Sequence, residues 1–291
     1  MAIHTISNNC VVVSISDSGA ELQSIKSSDG REYLWQGSPA YWARRSPVLF
    51  PFVGALMNDS YTYCGNTYKM SQHGFARDMN FSFEGKDGSN ISFVLNSDDK
   101  TFEIYPFDFL LRIEYSLNSN SVVVKWTVKN TGDKAMYYSI GAHPAFNLPD
   151  YCAREDCYIQ LDRIPSSITG ITGRYADEGK NVIGNVNITQ NRLIKLGKDL
   201  FKNDALVFEN EKIRRVALCD GDIKPFVEVE FDAPVLGIWS PYKEGCPFVC
   251  IEPWYGRCDA VDFNGTLEQR KWQNVLEPSE SAVYKYTITV M

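Results

Sequence analysis

Alternation of apolar and polar residues is the feature of this chain that most restricts its fold. Residues 109–117 carry an apolar side chain at every second position, and residues 122–128 repeat the pattern. A period of two places these apolar side chains on one face of an extended strand. The polar residues 118–120 lie between the two runs and predict a tight turn. The segment is therefore expected to form an antiparallel hairpin.

The same period recurs through the rest of the chain, whereas helical periodicity is nearly absent. Val227, Val229 and Phe231 alternate with glutamates, and residues 282–290 alternate again in a segment expected to close a sheet. Only residues 195–202 suggest a short helix. The predicted fold class is all-β, a large antiparallel β-sandwich. Because no linker interrupts the chain, residues 1–291 are expected to form one domain.

The charge balance excludes several classes of partner. Asp and Glu number 36 against 29 Lys and Arg, for a net charge of −7, and no basic run offers the positive face that nucleic acid requires. No apolar stretch of about 18 residues predicts a membrane span. The first residues lack the pattern of a secretory signal, and the eight cysteines are sparse for a disulfide scaffold. We therefore expect a cytoplasmic protein with free thiols that binds neither nucleic acid nor membrane.

Two of the three histidines lie in segments typical of strand ends. His73 is followed by Gly74, and His143 is followed by Pro144. Glycine and proline favour bends, and the loops at strand ends are where β-sandwiches carry function. Either histidine taken alone is more often structural than functional. His4, near the start of the chain, is expected at the surface.

Two carboxylates stand beside predicted apolar strands. Glu252 ends one strand and precedes Pro253 and two aromatic residues. Partial burial would raise its pKa towards the range of a general base, but a salt-bridged glutamate at the rim of a sheet has similar surroundings. Asp204 begins another strand. It is a candidate for orienting a histidine or binding a substrate hydroxyl, and equally for an ordinary turn aspartate.

Arg44 and Arg45 precede the apolar segment 46–54. A guanidinium in this position can direct several donors at substrate oxygens, or it can cap a loop. At most one of the two is expected to face a site.

Other catalytic patterns are missing from the sequence. Cys246, Cys250 and Cys258 lack the paired spacing of a zinc site and have no histidine nearby. There is no phosphate-binding glycine loop, dinucleotide fingerprint, metalloprotease motif or serine-hydrolase motif. No metal and no cofactor is therefore expected.

Five segments together resemble the aldose 1-epimerase family, and most closely its LacX-like branch. They occur in the family's order, and residues 141–148 (GAHPAFNL) are the most specific of them. The resemblance extends over nearly the whole chain. It implies a galactose-mutarotase-like supersandwich with a sugar-binding cleft across one sheet. The segments are residues 46–54, 73–78, 105–109, 141–148 and 251–252.

The resemblance also implies roles for individual residues. Glu252 matches the base that takes the proton from the anomeric hydroxyl, and His143 matches the acid that protonates the ring oxygen. His73 matches a second histidine, which steadies the sugar. Asp204 matches a substrate-binding aspartate, and the family arginine maps to Arg44 or Arg45. Opening a hemiacetal needs one proton removed from O1 and one delivered to the ring oxygen, and a carboxylate with an imidazole can do both without a cofactor.

The residues leave the substrate open. A free hexose is one possibility, and a hexose 6-phosphate is another if arginines converge at the cleft. A sugar-binding or sensing protein without turnover is a third, and kinship with glycoside hydrolases is a weaker fourth that needs a second carboxylate facing Glu252. A monomer or a homodimer is expected. The arginines that could assemble a phosphate pocket, or simply pair with surplus carboxylates, are Arg44, Arg45, Arg77 and Arg257.

Overall fold

Strands dominate the computed structural model, which describes residues 2–291. In chain order the first twelve are β1 Ile3–Ser7, β2 Val11–Ser16, β3 Leu22–Ser27, β4 Val48–Leu49, β5 Ser60–Tyr63, β6 Asn66–Lys69, β7 Ser82–Asp87, β8 Asn90–Asn96, β9 Phe109–Asn118, β10 Ser121–Asn130, β11 Met136–Tyr138 and β12 Ile140–Ala142. The others are β13 Ala145–Asn147, β14 Tyr158–Leu161, β15 Thr169–Thr172, β16 Tyr175–Asn181, β17 Leu193–Lys195, β18 Leu206–Glu209, β19 Arg215–Cys219, β20 Pro225–Phe231, β21 Val235–Trp239, β22 Phe248–Tyr255, β23 Asn274–Leu276 and β24 Ser281–Val290.

Two large antiparallel sheets form the body of the protein. One has nine strands in the order β17-β14-β19-β20-β24-β10-β9-β8-β7, and the other has eight, ordered β16-β15-β18-β21-β22-β12-β4 with β13 also paired to β22. Side chains of both sheets belong to one buried apolar cluster, which includes Trp126 of β10 and Ile251 of β22. The sheets therefore pack against each other, and the predicted all-β antiparallel sandwich is confirmed. Smaller sheets join β1-β2-β3, β5-β6 and β11-β23.

The predicted hairpin lies in the middle of the nine-stranded sheet. β9 and β10 pair so that Val124 faces Tyr115 and Trp126 faces Ile113, and all four side chains are buried. The last strand, β24, pairs with β10 on one side and β20 on the other. It therefore completes the sheet from within instead of forming an edge.

The prediction of a helix over residues 195–202 is wrong. This segment contains the end of β17 followed by turns, because Leu193 and Ile194 are buried in an edge strand that pairs with β14. The α-helix is instead α1, Asp99–Ile104, and it begins with a capping box in which the Asp98 side chain accepts from the Thr101 N–H. Five 3₁₀ turns complete the regular structure: Met57–Asp59, Ala76–Asp78, Arg154–Asp156, Ile183–Asn185 and Leu267–Gln269.

Helices within residues 2–291 are too short or too polar to cross a membrane. The eight-stranded sheet carries a cavity, which is lined by side chains of β15, β18, β21 and β22.

Candidate active site

Strand register brings His143 and Glu252 together. Glu252 was expected to end its strand, but it lies inside β22, because the strand continues through Pro253 to Tyr255. β22 pairs with β12 on one side of Glu252 and with β13 on the other. Because Gly141 faces Trp254 in this register, His143, two residues later, stands opposite Glu252. Directly opposed residues of antiparallel strands have Cβ atoms about 4.5–5.5 Å apart, so their side chains can touch. Pro144 lies between β12 and β13, and its carbonyl oxygen accepts from the Ile251 N–H at 3.3 Å, so the register continues past His143.

The two side chains form a buried acid–base pair. The Nε2 of His143 lies 3.2 Å from Oε2 of Glu252, and 8% of His143 and 1% of Glu252 are exposed. Burial lowers the pKa of His143, and the positive charges of Arg77 and Arg44 lower it further. Burial raises the pKa of Glu252 well above its usual value, and the charge of Asp204 adds to this rise. The pair therefore favours a single proton, held by the carboxyl group next to a neutral imidazole.

His73 reaches the same place from a loop that is fixed to the segment after β4. Its backbone N–H donates to the Gly54 carbonyl oxygen at 2.9 Å, and the Gly54 N–H donates to Nδ1 of His73 at 3.1 Å. His73 and Gly74 both have left-handed φ angles, +70° and +71°. A Cβ atom at Gly74 would lie 2.3 Å from the carbonyl oxygen of Phe50, so the chain can make this turn only with glycine there.

The hydrogen bond from Gly54 determines which ring nitrogen of His73 carries the proton. Since Nδ1 accepts, the neutral ring carries its proton on Nε2 and presents a donor. Burial lowers the pKa of His73 well below its usual value, helped by the neighbouring His143 and Arg77. The ring centroids of the two histidines are 5.7 Å apart. A neutral hydrogen-bond donor thus stands beside the acid–base pair.

A cavity of about 390 Å³ opens over these three residues. It is large enough for a monosaccharide, and indole rings form much of its wall. Trp42 stacks on the His143 ring with centroids 4.6 Å apart, and Trp239 meets the same ring edge to face at 5.5 Å. The lining residues are Trp42, Arg44, Gly54, Gln72, His73, Arg77, His143, Ile171, Arg174, Asp204, Ala205, Val207, Trp239, Glu252, Trp254 and Cys258.

Comparison with known proteins assigns the chain to a family. A family model described as aldose 1-epimerase matches residues 2–269. The chain belongs to the aldose 1-epimerase family. Two LacX proteins of Lactococcus lactis subsp. lactis, one plasmid and one chromosomal, are each 31% identical to it over 301 residues, which cover 98% of this chain and 98% of each relative. The protein is accordingly a mutarotase-type isomerase that acts on a sugar.

Solved structures agree with this membership. A galactose mutarotase related enzyme from Lactobacillus acidophilus has a TM-score of 0.93 and 38% identity, covering 100% of this chain and 97% of its own. A galactose mutarotase-like protein from Lactobacillus casei has a TM-score of 0.91 and 28% identity, with 100% of both chains covered. The predicted galactose-mutarotase-like architecture therefore describes the whole chain of this aldose 1-epimerase family member.

Three further residues predicted from the sequence lie at the cavity. Asp204, Arg44 and Arg77 all contribute to its lining. Nη2 of Arg44 lies 2.8 Å from Oδ1 of Asp78, and Nε of Arg77 lies 3.7 Å from Oδ2 of the same residue. Arg77 also donates to the Gln72 carbonyl oxygen at 2.7 Å. Two guanidinium groups therefore share one carboxylate at the cavity wall, which leaves an excess of positive charge there.

Two of the predicted arginines lie elsewhere. Arg45 donates to the side chain of Gln23 and, at 3.2 Å, to the Gln36 carbonyl oxygen, and it does not line the cavity. It therefore leaves the set of candidate substrate-binding residues, because its guanidinium is held by these hydrogen bonds outside the cavity. Arg257 is buried with 1% of its side chain exposed, and it pairs with Glu178 and Glu209 behind the cavity.

Five cavity residues with aromatic, amide or guanidinium side chains escaped the sequence-based selection. Trp42, Trp239 and Trp254 were recognisable only as part of an aromatic-rich composition, and Gln72 and Arg174 gave no signal of their own. The indole of Trp254 lies across two glycines, since a Cβ atom at Gly237 or Gly141 would come within 2.5 or 2.7 Å of it. Two glycines opposite a tryptophan on neighbouring strands are a pattern that could have indicated this placement.

One group of donor atoms at the cavity floor could hold a metal ion. His143, Cys250 and Glu252 each place a ligand atom within 4.8 Å of the others, and all three residues are buried. Cys246 and Cys258, which the sequence grouped with Cys250, are not part of this cluster.

Proposed function

We propose that the protein interconverts the α and β anomers of a hexose by acid–base ring opening, with Glu252 as the base and His143 as the acid. The 3.2 Å contact between Nε2 of His143 and Oε2 of Glu252, at the floor of a cavity of monosaccharide size, carries the proposal. One carboxyl and one imidazole within a single sugar ring's reach are the two groups that hemiacetal opening requires.

The proton transfers balance without any external acid or base. The Glu252 carboxylate takes the proton from O1 while the His143 imidazolium gives its proton to the ring oxygen, and the C1–O5 bond breaks to give the open-chain aldehyde. Rotation about C1–C2 presents the other face of the carbonyl carbon. The reverse transfers close the ring as the opposite anomer and restore both groups.

The electrostatics of the floor favour the ring-opened stage of this cycle. In that stage Glu252 is protonated and His143 is neutral, which is the proton distribution that burial favours for the pair. Interactions that are stronger in the reacting state than in the ground state are the ones that accelerate a reaction. Before ring opening the proton moves from Glu252 to His143, against the distribution that burial favours, and the 3.2 Å contact between Oε2 and Nε2 provides the path.

His73, Asp204 and the indoles hold the sugar in this scheme. His73 donates from Nε2 to a sugar oxygen near the reacting centre, and Asp204 accepts from a hydroxyl at the mouth of the cavity. Trp254 has an indole N–H without a hydrogen-bond partner among residues 2–291, and this donor is available to the sugar or to Glu252.

A hexose 6-phosphate is a second candidate substrate, and one observation favours it. Arg44 and Arg77 converge on the cavity wall, where both pair with Asp78 and Glu21 adds a further negative charge near Arg77. Paired guanidinium groups are suited to a phosphate. Arg174, on another part of the wall, is balanced by Asp59 at 3.1 Å.

Anomer exchange in freshly dissolved sugars tests the proposal. NMR or polarimetry on α-glucose, α-galactose and their 6-phosphates is expected to show faster exchange with the protein for at least one sugar. Glu252→Gln is expected to remove about 10²–10⁴-fold of that acceleration, and a matched Glu103→Gln, on exposed α1, to remove none. Unchanged exchange across the whole panel contradicts the proposal, and saturable sugar binding in that case assigns the protein to the non-catalytic binders.

A further inference from the structure

Below the acid–base pair lies a thiol that the proposed reaction does not use. Cys250 and Glu252 are two residues apart on β22, so their side chains point to the same face of the strand. Cys250 is completely buried, and its sulfur belongs to the group of three ligand atoms that lie within 4.8 Å of one another. The other two atoms come from His143 and Glu252, which line the cavity floor.

We infer that His143, Cys250 and Glu252 form a site for one zinc-type ion, and that the bound ion blocks anomer exchange. Nitrogen, sulfur and carboxylate oxygen are the ligands that zinc takes, and three protein ligands with a fourth position open to a cavity are usual for an accessible zinc ion. Magnesium and calcium need mostly oxygen ligands, so the same site discriminates against them.

The geometry is close to that of a bound ion. Ligand bonds of about 2.0–2.3 Å in a tetrahedral arrangement separate the ligand atoms by about 3.5 Å. The histidine and glutamate atoms are already 3.2 Å apart. The Cys250 sulfur lies within 4.8 Å of its two partner atoms, so it needs to move by about 1.3 Å at most to reach a ligand separation of about 3.5 Å.

The charge balance also favours the ion. Before binding, a thiol, a protonated carboxyl and a neutral imidazole make the floor neutral. Binding of a divalent ion releases one proton from the Cys250 thiol and one from the histidine–glutamate pair, so the thiolate and carboxylate cancel the charge of the ion. The buried floor thus stays neutral, and the penalty for an unpaired buried charge is avoided.

The inhibitory consequence rests on the proposed function, whereas ion binding does not. The ion would occupy Nε2 of His143 and Oε2 of Glu252, which are the two atoms that must exchange protons with the sugar. A metal-bound imidazole cannot act as the acid, and a metal-bound carboxylate is a weaker base.

Zinc and cobalt titrations of wild type, Cys250→Ala and Cys258→Ala test the inference. Cys258 also lines the cavity but lies outside the ligand group, so its variant is the matched control. Calorimetry in two buffers of different ionisation enthalpy is expected to show one zinc ion per chain with net proton release in wild type and Cys258→Ala. For Cys250→Ala we expect binding at least about tenfold weaker. Cobalt is expected to give thiolate-to-metal absorption only when Cys250 is present.

Activity supplies the second readout. Zinc is expected to stop anomer exchange by wild type, a chelator to restore it, and magnesium to have no effect. Cys250→Ala, checked for folding by its thermal unfolding curve, is expected to keep an exchange rate within about threefold of wild type and to resist zinc. Cys250→Ser replaces it if the alanine variant unfolds.

Equal zinc affinity in wild type and Cys250→Ala, or cobalt absorption without thiolate character, overturns the site. If wild type accelerates exchange of no sugar, the proposed function fails, and calorimetry and cobalt absorption still decide the site.

Discussion

The cavity floor, formed by His143 and Glu252, and the wall that carries Arg44 and Arg77 hold their ionisable groups in opposite charge states. At the floor, His143 and Glu252 are almost fully buried, and burial drives both towards their neutral forms. At the wall, Arg44 and Asp78 retain 32% and 56% exposure of their side chains and form an ion pair at 2.8 Å. The floor groups are thus costly to ionise, whereas the wall charges are screened by solvent and contribute little to folding.

This difference separates two functions within one cavity. Groups that exchange protons need perturbed pKa values, and at the floor burial is the largest cause of the shift. Groups that select a substrate by charge need to remain ionised and reachable from solvent. Changes at the floor should therefore alter the rate of the chemical step, and changes at the wall should alter which sugar binds and how tightly.

Replacement of His143 by glutamine should have the largest effect. Without the acid, the leaving ring oxygen receives its proton from water, and we expect the enzymatic rate of anomer exchange to fall by about 10²–10⁴-fold with little change in KM. Saturation kinetics measured by NMR exchange spectroscopy check this. A fall confined to KM would mean that His143 only binds the sugar, and the distinction between floor and wall would fail.

Arg77→Gln should weaken substrate binding at the cavity wall, and the size of the increase in KM depends on the substrate. If the sugar is phosphorylated, loss of a charged hydrogen bond is expected to raise KM by about 10–100-fold; for a free hexose we expect less than about threefold. Arg45→Gln is the matched control, since Arg45 does not line the cavity. Parallel kinetics on a hexose and its 6-phosphate decide the case, and a kcat loss larger than the KM change would assign Arg77 to the chemistry.

Glu252→Gln should stabilise the folded protein at neutral pH. The folded pKa of Glu252 is raised, so above about pH 4.5 the unfolded chain releases a proton that the folded chain keeps. Wild type therefore loses stability relative to the variant as pH rises, by about 1.4 kcal/mol per pH unit until the folded pKa is reached.

Urea unfolding at pH 5 and pH 7 measures the difference in the free energy of unfolding between Glu252→Gln and wild type. Glu103→Gln, which removes an exposed carboxylate, is the control. A gap for Glu252→Gln that does not widen between the two pH values, or that matches the control, would show that the floor does not penalise the charged carboxylate.

The smallest expected effect is that of Asp204→Asn. Its charge raises the pKa of Glu252, so its removal should lower the pH at which the histidine–glutamate pair loses its single proton. We expect the alkaline limb of kcat/KM to move to lower pH by under about one unit. A shift to higher pH would exclude the electrostatic coupling, and a large KM increase would show direct binding of the sugar by Asp204.

Local periodicity was enough to predict the fold class and its central hairpin. Residues 109–130 alternate so regularly that only an antiparallel pair buries all their apolar side chains. The wrong prediction of a helix at residues 195–202 and the missed α1 have one cause. Such short segments carry too little periodic signal, and their conformation is decided by an edge pairing with β14 in one case and by a capping box in the other.

The sequence by itself determined the residue types of the candidate site: two histidines next to a glycine or a proline, a glutamate in an apolar strand and arginines ahead of another. Only the tertiary structure decided that His143 faces Glu252, because the pairing of β22 with both β12 and β13 sets that register. The choice of Arg44 over Arg45, the burial of Arg257 and the indole walls were likewise decided by packing between distant strands. Contacts of this kind depend on side chains far apart along the chain, which no local pattern records.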